Sequence, residues 1–159
     1  MGGVIDTMPR YVDRVYVVDD ASTDGTWEEI QESAMVENER AEDRRQLEPS
    51  DDTRVGGDRV RTIRHETNRG VGAAVKNGYR RSLQDGNDIT AVMNGDGQMD
   101  PDDLYKILDP IVEGQAAYAK ANRLVHDSYR EGMSSWRLFG NTVLSFLTKI
   151  SSGYWKLMD

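Results

Sequence analysis

The strongest constraint on the fold of this chain is an apolar run that ends at two closely spaced glycines, in DITAVMNGDGQMDPDD (residues 88–103). The run from Asp88 to Met93 predicts a short central strand that is covered on both faces of a sheet. Gly95 and Gly97 follow, and glycine lets the backbone turn tightly and approach a ligand. A helix is predicted from about Pro101, because proline and acidic residues favour the first helical turn. Polar side chains therefore gather at the carboxyl end of a strand, where open α/β sheets bind ligands.

Side-chain oxygen atoms crowd this turn, and the residues that carry them are Asn94, Asp96, Gln98 and Asp100. Hard cations such as Mg²⁺ and Mn²⁺ take oxygen ligands, commonly one or two carboxylates together with substrate phosphates. A turn followed by a helix cap explains the same residues without a metal, so the turn alone leaves both interpretations open. A calcium EF-hand is excluded, since its obligatory glycine and final glutamate would fall on Met99 and Tyr105.

Charge narrows the class of protein. The 159 residues suffice for one domain with a real core, and the net charge is −8. The imbalance, 18 Asp and 10 Glu against 15 Arg and 5 Lys, suits a salt-rich cytoplasm that screens self-repulsion. No basic stripe is present in the sequence, which argues against a nucleic-acid partner.

Residue types that are scarce or absent exclude other classes. The chain has no cysteine, so disulfides and thiolate zinc sites are excluded. Its two histidines, His65 and His126, lie far apart in sequence, which disfavours a histidine-based metal site. No apolar run approaches the roughly 18 residues of a membrane span, and no signal peptide is recognisable. We therefore expect a cytoplasmic protein.

Strands and helices alternate along the rest of the chain, as in α/β proteins. A helix end is predicted over residues 1–9, strands over 14–18, 60–63 and 116–121, and helices from about Thr26 and Gly70. Thr26 and Glu29 match a capping box at the start of the first long helix.

The charged stretch from Glu37 to Arg59 interrupts this alternation. It is mixed in sign and poor in apolar residues, and it contains Pro49 and the pair Gly56-Gly57. We interpret it as an extension of the preceding helix followed by a mobile loop, which makes it a surface insertion without chemistry.

Two further polar turns end predicted strands. Asp19 and Asp20 open the first, and because neighbouring strand residues point to opposite faces, at most one of these acids faces a given ligand. Its carboxylate either accepts hydrogen bonds from a base or ribose, or merely favours helix entry. The second turn, residues 68–70, opens a helix at Gly70 and Gly72. Its amides could attract phosphate, or its small residues could serve close packing; the spacing fits neither a dinucleotide-binding fingerprint nor a P-loop.

An amphipathic helix is predicted over residues 133–152, with an apolar side that contains Trp136, Phe139, Val143 and Ile150. It is either an ordinary core-facing helix or a helix that lies on a membrane surface, where aromatic and basic side chains suit the interface. The pattern leaves both interpretations open.

Three of these stretches resemble, in the right order, the signature phrases of family 2 glycosyltransferases with the GT-A fold: VVDDASTDGT (17–26), NRGVGAAVKNGY (68–79) and MNGDGQMDPDDL (93–104). NRLVHDSYREGMSSWRLFGN (122–141) is similar to polyprenyl-phosphate, or dolichol-phosphate-type, sugar synthases. The resemblance covers nearly the whole chain apart from the charged insertion. It implies a three-layer α/β/α Rossmann-like fold with a mostly parallel sheet. It also implies transfer of a sugar from a nucleotide-diphosphate sugar to a lipid-phosphate or glycan acceptor.

The resemblance implies roles for single residues on the donor side. Asp20 resembles the acid that reads the nucleotide base, and Asn68, Arg69 and Gly70 belong to a substrate-binding phrase. Asp96 resembles the aspartate of the DxD motif that binds Mg²⁺ or Mn²⁺ against the diphosphate, and Gln98 resembles the residue that helps to place metal and phosphates.

The implied reaction is a direct displacement at the anomeric carbon, with inversion, in which the metal stabilises charge on the leaving nucleotide diphosphate. Arg123 and Arg137 resemble the arginines that hold donor and acceptor phosphates, which a guanidinium can bind bidentately. A lipid phosphate needs no protein base. A sugar hydroxyl needs a carboxylate base, for which Asp159 is the candidate.

The chain departs from the family pattern at three places. The first aspartate of DxD is Asn94 here, so metal binding rests more on Asp96. The family's first strand, with a phrase like PAYNE, is absent, and Asp159 matches only the start of the phrase D-x-x-(S/N)-G. We therefore interpret residues 1–159 as one domain trimmed at both ends, which can be inactive on its own.

Two other classes remain as alternatives. A non-catalytic nucleotide-sugar-binding domain is suggested by Asn94 and by the trimmed ends. A receiver-type signalling domain is suggested by VYVVDDAS, but Asp96 lies too far after Asp20 to be its phosphoacceptor. A lipid acceptor would place the protein at the cytoplasmic face of a membrane.

Overall fold

The computed structural model describes residues 2–47, 57–97 and 99–121. The predictions for Gln98, Arg123, Arg137 and Asp159, and for the amphipathic helix at 133–152, concern residues outside these ranges.

The elements, in chain order, are helix α1 (Gly2–Asp6), strand β1 (Val15–Asp19), helix α2 (Thr26–Leu47), strand β2 (Val60–Arg64), helix α3 (Val71–Gln84), a 3₁₀ turn (Pro101–Asp103) and helix α4 (Tyr105–Val112). The helices predicted before Pro9, from Thr26, after Gly70 and after Pro101 are thus confirmed. None of the helices in the described ranges is both long and apolar enough to span a bilayer.

Strands β1 and β2 pair in parallel, from Val15 opposite Val60 to Asp19 opposite Arg64. Parallel neighbours need a crossover connection, and α2 supplies it. In such a unit the residues that follow each strand emerge at the same edge of the sheet. The register therefore brings the turn after Asp19 beside the turn after Arg64.

Helices cover both faces of this pair of strands. The buried core on one face consists of Ile5, Val17, Ile30, Ala34 and Val60, from α1, α2 and both strands. Val18 points to the other face, where its methyl group would lie 3.8 Å from a Cβ on Gly78 of α3. The α/β/α layering that the resemblance implies is therefore present in the described part of the chain.

The two residues that bound the predicted surface insertion, Glu37 and Arg59, are buried, with 4% and 8% of their surface exposed. The Arg59 guanidinium donates a hydrogen bond to the Glu37 carboxylate and three more to the backbone oxygens of Pro9 (2.7 Å), Met8 (3.2 Å) and Val12 (3.2 Å). The expected extension of the helix is present and reaches Leu47. Its charged residues, however, include the ion pair that fixes α2 to the start of β2.

Two predicted strands, at 88–93 and 116–121, have no regular structure. Ile89, Val92 and Tyr118 are 38%, 47% and 75% exposed, and in the described part of the chain only β1 and β2 pair. An apolar run indicates that a segment tends to be buried. A strand also requires a neighbouring strand that pairs with its backbone hydrogen-bonding groups. The prediction of strands from these runs was wrong for the described structure.

The capping box predicted for α2 is also wrong, because both side chains bond elsewhere. The Thr26 hydroxyl donates to Asp24 Oδ1 (2.6 Å). The Glu29 carboxylate instead accepts from the backbone N–H of Gly2 (2.9 Å), and this bond lowers the pKa of Glu29. The side chain that matched a local motif is used to tie α1 to α2.

Candidate functional site

Asp19 closes β1 as a buried carboxylate, 2% exposed. Its oxygens accept from the backbone N–H of Ser22 at 3.3 Å, and Oδ2 lies 3.3 Å from Nε of Arg64. Arg64 also donates to the backbone oxygen of Ser22 (3.1 Å) and lies over the Trp27 ring, 5.2 Å from its centroid. Asp19 is therefore a structural anchor for the loop that follows β1.

That loop contains the one non-glycine residue with positive φ in the described ranges, Ala21 at φ 61°. A left-handed conformation costs an L-residue about 1–2 kcal/mol. Such strain persists where the surrounding contacts enforce it, which is common in ligand-binding loops. Here the neighbouring residues Asp19 and Ser22 are both fixed by Arg64, so the loop geometry is imposed from β2.

Asp20 has different partners from Asp19, as the alternation along a strand predicts. Its Oδ1 atom lies 2.6 Å from Nδ1 of His65 and accepts from the backbone N–H of Arg69 at 2.9 Å. These hydrogen bonds, the His65 bond first, lower the pKa of the Asp20 carboxyl below its ordinary value of 3.8. Asp20 therefore stays ionised at neutral pH and can only accept hydrogen bonds.

His65 also belongs to this site, although the sequence patterns did not indicate it. It follows β2 directly, is 6% exposed, and places Nε2 2.6 Å from Nδ2 of Asn77 on α3. The signal that could have found it is positional. In a parallel pair with this register, the residue after β2 must lie beside the residue after β1, which is Asp20.

The turn at 68–70 uses its own amides. The Asn68 side chain accepts from the N–H of Gly70 (3.1 Å), while the N–H of Arg69 is bonded to Asp20. Gly70 has φ 83° and ψ 157°, a conformation that L side chains rarely adopt. A Cβ on Gly70 or Gly72 would meet no atom within 4 Å, so close packing does not explain either glycine. The exposed Arg69 guanidinium is the charged group that this turn presents.

The turn at 94–97 separates the roles of two acids. Asp100 is the N-cap of the 3₁₀ turn, where its Oδ1 accepts from the N–H of Asp102 (3.0 Å), so the capping interpretation holds for this residue. Asp96 lies exposed in the turn before Gly97, whose φ is 74°. No group of three His, Cys, Asp or Glu residues that could hold a metal occurs in the described ranges. The oxygens of Asp96 and Asn94 suit a hard cation only as a partial ligand set.

A cavity of about 1260 Å³ runs along α3 and β1, and its lining brings the turn after β1 together with the turn at 94–97. The lining includes Ser22 from the turn after β1, Thr26 at the start of α2, and Asn94, Gly95 and Asp96. The sequence-predicted residues thus fall into two groups. Asp20 and the 68–70 turn are hydrogen-bonded to each other, and Asp96 faces the neighbouring cavity.

Acidic and polar turns at the carboxyl edge of a parallel βαβ unit are typical of the α/β proteins that bind ligands at this edge of the sheet. Within that class the chain belongs to glycosyl transferase family 2, whose family model matches residues 3–156. This match confirms the family that the three signature phrases indicated.

Two curated relatives are similar over most of the chain. A UDP-N-acetylglucosamine–dolichyl-phosphate N-acetylglucosaminyltransferase of Methanococcus voltae is 29% identical over 143 residues, which is 90% of this chain and 54% of the relative. An undecaprenyl-phosphate mannosyltransferase of Micrococcus luteus is 28% identical over 161 residues, 97% of this chain and 57% of the relative. The chain thus spans about half the length of these relatives. No solved structure matches it.

Proposed function

We propose that this chain is the donor-binding part of a glycosyltransferase that moves a sugar from a nucleotide-diphosphate sugar to a polyprenyl phosphate or glycan. The observation that carries the proposal is the Asp20 carboxylate, which is held ionised where the turn after β1 meets the turn at 68–70. A fixed, acceptor-only carboxylate suits the N–H edge of a nucleotide base. The name of the Methanococcus voltae relative contains a nucleotide sugar, which supports such a donor. The names of both relatives contain a polyprenyl phosphate, which supports such an acceptor.

The diphosphate of the donor would lie between Asp20 and Asp96. Arg69 contributes a guanidinium at the 68–70 turn, while Asn68 and Gly70 fix the shape of that turn. The cavity that contains Asp96 is larger than the roughly 300–1,000 Å³ of most ligand pockets, which leaves room for a nucleotide sugar.

Asp96 and Gln98 are the residues that we assign to a divalent cation, Mg²⁺ or Mn²⁺. One carboxylate with an amide neighbour suffices if the donor phosphates complete the coordination, as is usual for Mg²⁺. A cation bound there stabilises negative charge on the departing nucleotide diphosphate. The role of Asp96 is then to hold the donor in line with the acceptor.

Arg123 and Arg137 are assigned to the donor and acceptor phosphates. A phosphate acceptor is already an anion, so positioning by these guanidinium groups replaces a protein base. A sugar hydroxyl would need Asp159 as general base. With a lipid acceptor the protein would act at the cytoplasmic face of a membrane, and the amphipathic segment at 133–152 suits that surface.

A non-catalytic nucleotide-sugar-binding domain is the second candidate, and Asn94 favours it. Asparagine supplies no charge where the family has an aspartate, so the cation affinity of this turn is reduced. The two candidates predict the same donor binding but differ in sugar transfer.

Calorimetric titration of the chain with UDP-N-acetylglucosamine and GDP-mannose, with and without Mn²⁺, tests the proposal. We expect one of these donors to bind, more tightly with Mn²⁺, and Asp20→Asn to weaken binding about tenfold. Asp43→Asn, which alters an exposed acid on α2, is the control and should bind as the wild type does. Absence of binding to either donor contradicts the proposal. Sugar transfer to dolichyl phosphate then separates the enzyme from the binding domain.

A further inference from the structure

We propose that His65 is a positioning residue for Asp20, and that Asn77 selects the tautomer of His65 that performs this role. The inference rests on the proposed function, in which Asp20 contacts the nucleotide, and it adds two residues to that site. Neither belongs to the donor-binding turns themselves, because His65 follows β2 and Asn77 lies on α3.

The chemistry of the two side chains determines where the proton of His65 lies. Nδ2 of Asn77 lies 2.6 Å from Nε2 of the imidazole. An amide NH₂ group can only donate, so Nε2 must accept, and a neutral imidazole then carries its proton on Nδ1. Nδ1 lies 2.6 Å from Oδ1 of Asp20 and donates to it.

Burial makes this arrangement hard to replace. The His65 side chain is 4% exposed, so water cannot substitute for either of its hydrogen-bond partners without opening the site. The backbone N–H of His65 also donates to the backbone carbonyl oxygen of Asp19 at 2.9 Å, which fixes the main chain of His65 to the end of β1. The position of Asp20 is therefore set by α3 through His65, and not only by its own loop.

The consequence for binding concerns pre-organisation. The His65 and Arg69 donors both meet Oδ1 of Asp20, and two converging bonds fix the rotation of the carboxylate. An ionised carboxylate has about four lone-pair sites, so it can accept further bonds from a ligand while these two are kept. A carboxylate fixed before binding loses less side-chain freedom when the nucleotide arrives.

Two substitutions test the roles of the two ring nitrogens of His65 separately. His65→Asn keeps a donor near the position of Nδ1, whereas His65→Gln keeps one near the position of Nε2. Binding is measured by the same calorimetric titration with UDP-N-acetylglucosamine and GDP-mannose. We expect His65→Gln to weaken binding of the donor about tenfold and His65→Asn to weaken it less than about threefold. Arg80→Ala is the control, since Arg80 is an exposed residue of the same helix α3 and does not line the cavity.

A spectroscopic measurement checks the tautomer in the chain without nucleotide. Nitrogen-15 shifts of the imidazole should show His65 protonated at Nδ1 and unprotonated at Nε2, and Asn77→Leu should abolish this preference. Circular dichroism and thermal unfolding of each variant identify any that fails to fold.

The outcomes separate this inference from the proposed function. A wild-type chain that binds no nucleotide overturns both. Nucleotide binding with equal affinities for His65→Asn and His65→Gln, or a His65 proton on Nε2, overturns the positioning role alone. A ranked loss together with the Nδ1–H tautomer supports it.

Discussion

The Glu37 carboxylate and the Arg59 guanidinium form a buried ion pair across 22 residues of sequence, with side chains only 6% and 9% exposed. Arg44 adds a second donor to the same oxygen at 2.7 Å. Because Glu37 lies on α2 and Arg59 directly precedes β2, the pair links the helix to the start of the second strand. Because removal of one partner leaves a buried charge without its counter-ion, the pair is a sensitive point for stability.

We expect Glu37→Gln to lower the free energy of unfolding by about 3–5 kcal/mol, since Arg59 then keeps its charge in the interior without a carboxylate. Glu42→Gln on the same helix removes an exposed pair with Arg45 (3.4 Å, Glu42 56% exposed) and should cost no more than about 1 kcal/mol. Urea unfolding of both variants measures the difference. Equal losses would contradict the assignment of Glu37–Arg59 as the dominant pair.

Gly70 and Gly72 offer a test of why the third helix begins where it does. Gly70→Ala should destabilise the chain by about 1–2 kcal/mol, because φ 83° strains any L side chain although the space around it is open. Gly72→Ala lies inside α3 at an ordinary helical φ, so we expect it to stabilise by about 0.5–1 kcal/mol. Thermal unfolding of both variants shows whether each substitution stabilises or destabilises the chain. Opposite signs support a conformational role for Gly70, whereas two losses would indicate a packing role instead.

Asp85 gives a prediction about pH. It lies at the C-terminus of α3, where an acid is unfavourable to the helix dipole, but it accepts hydrogen bonds from Tyr16 (2.7 Å) and Arg61 (2.6 Å). The Tyr16 bond first, and then the Arg61 charge, lower the pKa of Asp85 from 3.8. A carboxyl group whose pKa is lower in the folded than in the unfolded state stabilises the fold at pH values above its unfolded-state pKa. This stabilisation is lost as the pH falls through the folded-state pKa.

Asp85→Asn should therefore cost about 1–3 kcal/mol near neutral pH, and the difference from the wild type should shrink as the pH is lowered below about 3.8. Denaturant unfolding at a series of pH values checks the trend. Asp109→Asn, an exposed acid on α4, is the control and should show a small difference at every pH. A constant difference for Asp85→Asn down to the most acid samples would contradict the shift.

The three turns could be predicted from sequence because their signals are local. Glycines at a helix start, a proline at a first helical turn and acids at a strand end each act within a few residues, and Gly70, Pro101 and Asp20 were predicted in this way. Glu37, Arg59 and His65 could not be, because their partners are set by the register of β1 against β2 and by α3 packing on the sheet. The run at 88–93 failed for the same reason, since apolar residues do not specify which neighbour pairs with them.

Asp96 and Asp100 provide the last test, because the structure gives two acids of one turn different roles. Asp100 caps the 3₁₀ turn through the N–H of Asp102, so Asp100→Ala should cost about 1 kcal/mol of stability and leave the Mn²⁺ dependence of donor binding in place. Asp96 is exposed, so Asp96→Ala should change stability by no more than about 0.5 kcal/mol while it abolishes the effect of Mn²⁺ on binding. Paired thermal unfolding and calorimetry distinguish the two effects. If Asp100→Ala removes the Mn²⁺ dependence and Asp96→Ala does not, the cation is held by the cap rather than by the DxD-like aspartate, and the assignment of Asp96 is wrong.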